Sequence, residues 1–82
     1  MSEIQFETMR VKAAVDECQK QFDAAVDFCL RMADELKEAK TRGWNMTCPS
    51  ANLANSASEV GRIAERLNAL LDSHSTLKRI AG

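Results

Sequence analysis

Aromatic residues are scarce in this chain, and proline and glycine are almost absent. Phe, Trp and Tyr make up 5% of the 82 residues, and the sequence contains no Tyr, one Pro and three Gly. Aliphatic side chains and Ala therefore carry most of the apolar fraction of 45%. Since β-sheets are enriched in aromatic and β-branched residues, this composition favours helices over sheet. A chain of this length forms one small domain, for which oligomerisation is a common source of additional stability.

Neither sign of charge is in excess. Eleven basic and twelve acidic residues give a formal net charge of -1, so no overall field attracts nucleic acid or anionic lipid. No apolar run reaches the roughly 18 residues that a bilayer-spanning helix requires. The N-terminal sequence MSEIQFETMR also lacks a basic region followed by an apolar one. We therefore predict a cytoplasmic protein without a membrane role.

Residues able to perform catalysis or to hold a metal are also few. His74 is the only histidine, and the sequence contains no GxGxxG, P-loop or HExxH pattern. Cys18, Cys29 and Cys48 are odd in number and show no CxxC spacing, which argues against a disulfide framework or a zinc site. The basic residues of the C-terminal third are diluted by acidic ones, so nucleic-acid binding is not expected. The sequence thus predicts no enzyme, no cofactor and no metal site.

Residues 3–42 contain neither Pro nor Gly, and they follow a seven-residue pattern that is typical of a long helix. The stripe widens at Val26 and Ala33 on one side, and at Ala14 and Phe28 on the other. A stripe wider than a two-stranded seam indicates packing in a bundle. The two series that form the stripe are Ile4, Val11, Cys18, Ala25, Met32 and Ala39, and Thr8, Val15, Phe22, Cys29 and Leu36.

The polar face of this first helix is predicted to be solvated. Three oppositely charged pairs on it have the i,i+4 spacing that supports a helix by a few tenths of a kcal/mol each. These pairs are Asp16 with Lys20, Asp27 with Arg31, and Glu38 with Arg42.

A second helix is predicted over residues 50–79, after a loop at about 43–49. Gly43 is expected to cap the first helix, and Trp44 to cover the open end of the bundle. Pro49 is expected to lie in the first turn of the second helix, with Thr47 or Cys48 before it as a boundary. The second helix repeats the seven-residue pattern. Its series are Leu53, Val60, Leu67 and His74, and Ser56, Ile63, Leu70 and Leu77, and they are broadened by Ala57, Ala64 and Leu71.

Together these features predict an all-α protein, in which two long helices form an antiparallel helical hairpin. A lone hairpin cannot cover such broad apolar faces, so we expect a homodimer that forms a four-helix bundle or a coiled-coil-like assembly. The predicted oligomer interface consists of Val15, Phe22, Cys29, Leu36, Val60, Ile63, Leu67, Leu70 and His74.

In the absence of catalytic groups, the predicted function is binding to a larger protein as a small regulator or inhibitor. The candidate partner surface combines three apolar residues outside the main stripe with the tryptophan of the loop. These four residues are Phe6, Met9, Leu30 and Trp44.

Two alternatives remain at this stage. The first is an oligomer that binds an anion or a nucleotide in pockets between subunits, through Asn52, Asn55, Ser58 and Arg62. The second is a structural or secretion-apparatus helical hairpin. The layout of two long helices with Trp44 between them resembles the secreted WxG-type helical hairpins, in which a Trp-x-Gly stands at that place. The resemblance implies a two-helix hairpin and covers the layout and Trp44 alone, because residue 46, where that pattern has glycine, is methionine.

Overall fold

The computed structural model describes residues 2–81, which form two long helices and a short connection. Helix α1 spans Glu3–Arg42 and helix α2 spans Thr47–Ala81. They pack side by side in a rod of 61 × 14 × 14 Å, and no strand occurs within residues 2–81. The all-α class and the two-helix hairpin are therefore confirmed.

The second helix begins earlier than its seven-residue pattern predicted, at the boundary expected before Pro49. It starts at Thr47 rather than at about residue 50, so the connection has four residues instead of about seven. Asn45 explains the earlier start, since its side-chain Oδ1 accepts a hydrogen bond of 2.8 Å from the backbone N–H of Thr47. Pro49 still lies in the first turn, where its missing N–H has no intrahelical partner to lose.

Both ends of α1 are capped by local hydrogen bonds. At the start, the Ser2 side chain accepts from the backbone N–H of Gln5, and the Gln5 side chain accepts from the backbone N–H of Ser2. At the end, Gly43 adopts the left-handed conformation with φ of 71°. The backbone N–H of Gly43 donates to Lys40, and that of Trp44 donates to Ala39 at 2.8 Å. This pair of bonds is the Schellman arrangement, and it confirms the predicted role of Gly43.

Replacing glycine with alanine is expected to have opposite effects on stability at two positions of this chain. Gly43→Ala is expected to lower the free energy of unfolding by about 1 kcal/mol, because a Cβ is disfavoured at positive φ. Gly61→Ala is expected to raise it by about 0.5–1 kcal/mol, because Ala is the better residue inside a helix. A Cβ at either position meets nothing within 4 Å, so backbone preference alone sets the sign.

Urea unfolding followed by circular dichroism, at one fixed protein concentration, measures both differences. Equal shifts of the two variants in the same direction would contradict the left-handed cap.

The core is a narrow seam between the helices, and its most buried residues are small. Ala39 is 2% exposed, and Cys18 and Ser56 are also buried. The Cys18 thiol donates to the backbone carbonyl of Ile63, with 3.9 Å between Sγ and the oxygen. Small side chains let the two backbones approach closely at these points. Among residues 2–81, the only other buried side chains are Val15 and Met32.

Only one of the three charged pairs predicted on the outer face of α1 forms between its predicted partners. Glu38 pairs with Arg42 as expected. Asp16 pairs with Lys12 at 2.8 Å rather than with Lys20, and the Arg31 guanidinium lies 5.4 Å from the centre of the Phe28 ring. Exposed pairs of this kind contribute little to stability, so these exchanges do not affect the fold.

Candidate protein-binding surfaces

The residues predicted to form the oligomer interface lie along the seam between α1 and α2. Val15 is buried there, whereas the other eight are only half-buried. Each helix of a lone hairpin has a single neighbour, which leaves part of a broad apolar stripe in contact with water. These residues therefore pack between the two helices of the hairpin, and all of them except Val15 remain partly exposed.

One side of the hairpin carries a partly exposed apolar surface, which we call the dimer face after the dimer that we propose for it. It consists of Val26, Ala33, Ala57, Ala64 and Leu71, of which Ala57 and Leu71 are exposed and the other three are half-buried. The seven-residue spacing places these side chains in one row on each helix, beside the seam. Continuing the same rows along the chain reaches charged residues only toward the ends of the rod. These are Lys12, Lys40 and Lys78.

The other side of the hairpin is cut by a groove made of two adjoining cavities, each of about 460 Å³. We call it the acidic groove. Its floor is largely apolar, its rim carries four carboxylates, and neither cavity is lined by Lys, Arg or His. Glu35 lines both cavities. The first cavity is lined by Ala25, Phe28, Met32, Glu35, Asn52, Asn55, Ser56 and Glu59, and the second by Asp34, Glu35, Glu38, Ala39, Trp44, Asn45 and Pro49.

The groove and the dimer face point in opposite directions around the hairpin. Along an α-helix each residue advances by about 100°, so Phe28 and Glu35 leave α1 on the side of the seam opposite to Val26 and Ala33. The same relation separates the groove residues of α2 from the alanines of its dimer face. One surface can therefore be covered while the other stays open.

The four predicted partner-surface residues are all exposed, but they do not form one patch. Phe6 and Met9 lie near the open end of the hairpin, and Leu30 lies about 32 Å from Met9 along α1. Trp44 lies in the connection at the opposite end of a rod 61 Å long. A single compact binding site cannot include all four.

Trp44 does not cover the end of the hairpin, so that prediction is wrong for the single chain. Its side chain is 57% exposed. The Arg42 guanidinium lies 5.2 Å from the centre of the ring, and the same guanidinium pairs with Glu38. Because residues 39–44 carry the Schellman turn, the ring is held on the side of the second cavity instead of over the core.

The residues predicted to contact an anion are separated by the structure. Asn52 and Asn55 line the first cavity, whereas Ser58 and Arg62 do not. Arg62 pairs with Glu59, so the negative charge of the cavity wall comes from Glu35, which lies in no ion pair within residues 2–81. This charge disfavours an anion or a nucleotide.

Other chemistry on the described residues is sparse. Cys18 is buried, Cys29 is half-buried and Cys48 is exposed, and all three are free thiols. Between residues 2 and 81, no three His, Cys, Asp or Glu side chains converge in a way that could hold a metal ion. Over the same residues, neither helix has a stretch apolar enough to cross a membrane.

Trp44 between two long helices is the feature shared with the WxG-type hairpins, and Met46 departs from their pattern. Comparison of the chain with family models, with curated proteins and with solved structures gives no match.

Proposed function

We propose that the protein is a non-enzymatic, homodimeric helical module that binds a larger protein and acts as its regulator or inhibitor. The observation that carries this proposal is the row of partly exposed apolar side chains on the dimer face. In a protein that works alone, such a row of apolar side chains is a liability, because exposed apolar patches promote association.

The total surface of the rod leaves enough area for a second copy to bury. The chain exposes 6122 Å², whereas a compact monomer of 9.1 kDa is expected to expose about 4,900 Å². The difference of about 1,200 Å² for each chain is ample for a stable dimer, since specific interfaces bury roughly 1,200–2,000 Å² in total.

The arrangement of charge on the dimer face supports the same occupant. An interface typically has an apolar centre without charges and a polar rim. The rows of this face hold Gln19, Val26 and Ala33 between Lys12 and Lys40 on α1, and Ala57, Ala64 and Leu71 before Lys78 on α2. A two-fold axis through the centre would lay this apolar section on its own copy and give a four-helix bundle.

Binding of a protein, rather than catalysis, is supported by the polar groups around the only histidine. His74 shares a shallow cavity with Thr8, Lys12 and Asp16, among others. The Thr8 hydroxyl donates to the carbonyl of Ile4 at 2.8 Å, so it is engaged within its own helix. Neither Asp16, which pairs with Lys12, nor any other carboxylate of residues 2–81 orients His74. A nucleophile, a base and an orienting group are not combined there.

Native mass spectrometry of the tagged chain, isolated from its own cells, tests this function. We expect an assembly with two copies of the 9.1-kDa chain and at least one larger protein. An isolated chain that remains a monomer at micromolar concentration would contradict the dimer. A dimer that carries a retained nucleotide or anion and no protein would contradict the role as a protein-binding regulator.

A further inference from the structure

We propose that the acidic groove binds a positively charged, amphipathic helix of the partner protein. This inference rests on the proposed binding of a protein, but it does not require the dimer.

The dimensions of the groove fit a short helix. From Ala39 and Pro49 at one end to Ala25 and Glu59 at the other, it follows α1 for about 14 residues, or about 21 Å. This is the length of a helix of about four turns. A helix laid in such a groove places one apolar residue per turn on the floor.

The floor offers apolar contacts for those residues. Phe28 is 45% exposed, with the Arg31 guanidinium 5.4 Å from the centre of its ring, and the mostly buried Met32 lies one turn further along α1 and adds a flexible thioether. Trp44 adds a second exposed ring at the far end of the groove. Between these residues, the amides of Asn52 and Asn55 can bond to polar side chains of the bound helix.

The charge of the rim selects a basic helix. Four carboxylates line the two cavities, two of them paired with Arg42 and Arg62, and none of the lining side chains is basic, although the whole chain is close to neutral. A third cavity between the helices near the open end contains Glu7 and Asp72 and is likewise free of basic side chains. The cavity around His74 differs, because Lys12 and Lys78 line it. The two sides of the hairpin therefore differ in charge as well as in direction.

Glu35 is the most favourable anchor for a partner's cation. It lines both cavities and makes no ion pair within residues 2–81. Glu38 and Glu59 pair with Arg42 and Arg62 of the same helix. Such exposed pairs are weak, so an incoming Lys or Arg can share these carboxylates at small cost. Nucleic acid and anionic membranes are repelled by the same charges.

A synthetic peptide serves as the probe. It has about 18 residues, with Leu at helical a, d and e positions, Lys elsewhere and a fluorophore at its N-terminus. Its matched control carries Glu in place of every Lys. Fluorescence anisotropy with the whole protein measures binding at low and at high salt, because the electrostatic part is screened by added ions.

Two double variants carry the same change in net charge. Glu35→Lys with Glu59→Lys reverses the groove, whereas Glu17→Lys with Glu65→Lys changes two exposed carboxylates outside every cavity described above. We expect the groove variant to bind the lysine peptide at least about tenfold more weakly, and the control variant less than about threefold. If circular dichroism shows that the groove variant is unfolded, Glu35→Gln with Glu59→Gln replaces it. This variant should also bind the lysine peptide more weakly than the unaltered chain, but by a smaller factor.

Equal weakening by both double variants, equal binding of the glutamate peptide, or no binding of the lysine peptide would overturn the proposal. Concentration-dependent polymers of the chain that the groove variant abolishes would also overturn it, since the occupant would then be the basic end of α2 in another copy. Binding of the lysine peptide to a chain that sediments as a monomer would support the groove and would contradict the dimer alone.

Discussion

Met32→Ala is expected to lower the free energy of unfolding by about 2–3 kcal/mol. Met32 is one of the few buried side chains between the helices. Truncation removes apolar contact and leaves a cavity, and methionine-to-alanine changes at buried sites typically cost about 2–5 kcal/mol. We expect the lower part of this range because the site borders the open groove, from which water can enter the space.

The matched control is Met9→Ala, since Met9 is 59% exposed on the same helix. We expect it to change the free energy of unfolding by less than about 0.5 kcal/mol. Urea unfolding at one fixed protein concentration measures both, because a dimer's apparent stability depends on concentration. If the two variants lost equal stability, the seam around Met32 would not be the core of the protein.

The two helices were predictable because the spacing of their apolar residues fits only an α-helix. Apolar residues at alternating steps of four and three, as at Val15, Cys18 and Phe22, fall on one face only if the chain is α-helical. The capping motifs were equally local: Gly43 was predicted from its position after the pattern, and Ser2 with Gln5 has the spacing of a capping box. Information of this kind lies within a few residues of the chain.

The start of α2 was less predictable, because its first turn contains no apolar repeat. Thr47 and Cys48 precede Pro49, and the pattern begins only at Leu53. The helix is started by the side chain of Asn45, two residues before its first residue. An Asn close to a Pro is consistent both with a longer loop and with an early cap, so the sequence did not decide between them.

The acidic groove was missed because it depends on how two helices are aligned. Phe28 and Glu35 are seven residues apart on α1, and Asn52 and Glu59 are seven apart on α2, so each pair could be placed on one row. Which row of α2 faces which row of α1 depends on the four-residue connection and on the close approach of small residues such as Ala39. These are long-range features, whereas periodicity describes one helix at a time.

The exposed position of Trp44, in contrast, has a local cause. A large aromatic ring in a loop was expected to cover the bundle end, since burying a large ring stabilises a small core. The Schellman turn at Gly43 directs the chain so that the ring meets Arg42 instead. The local backbone geometry, and not the hydrophobicity of the ring, therefore determines where the ring lies.

Leu71→Glu is expected to dissociate the proposed dimer, with a dissociation constant at least about 100-fold higher. Leu71 lies on the dimer face, and 38% of its surface is exposed to solvent in the single chain. In a two-fold dimer the substitution occurs twice, so two apolar contacts are lost and two carboxylates must be removed from water. A 100-fold change corresponds to about 2.7 kcal/mol, which is modest for that combination. The hairpin itself should persist, because the carboxylate can stay in solvent when the chain is alone.

Leu30→Glu is the matched control, since Leu30 is 60% exposed on the outer face of α1, away from both the dimer face and the groove. It makes the same chemical change and should leave the dissociation constant within about threefold, as is usual for surface substitutions outside an interface. Sedimentation equilibrium gives the mass of both variants, and circular dichroism gives their helix content. Loss of the dimer in both variants, or in neither, would place the contact between copies on another surface of the hairpin. Loss in the Leu71 variant alone, with helix content unchanged, would establish that the row from Ala57 to Leu71 is covered by a second copy.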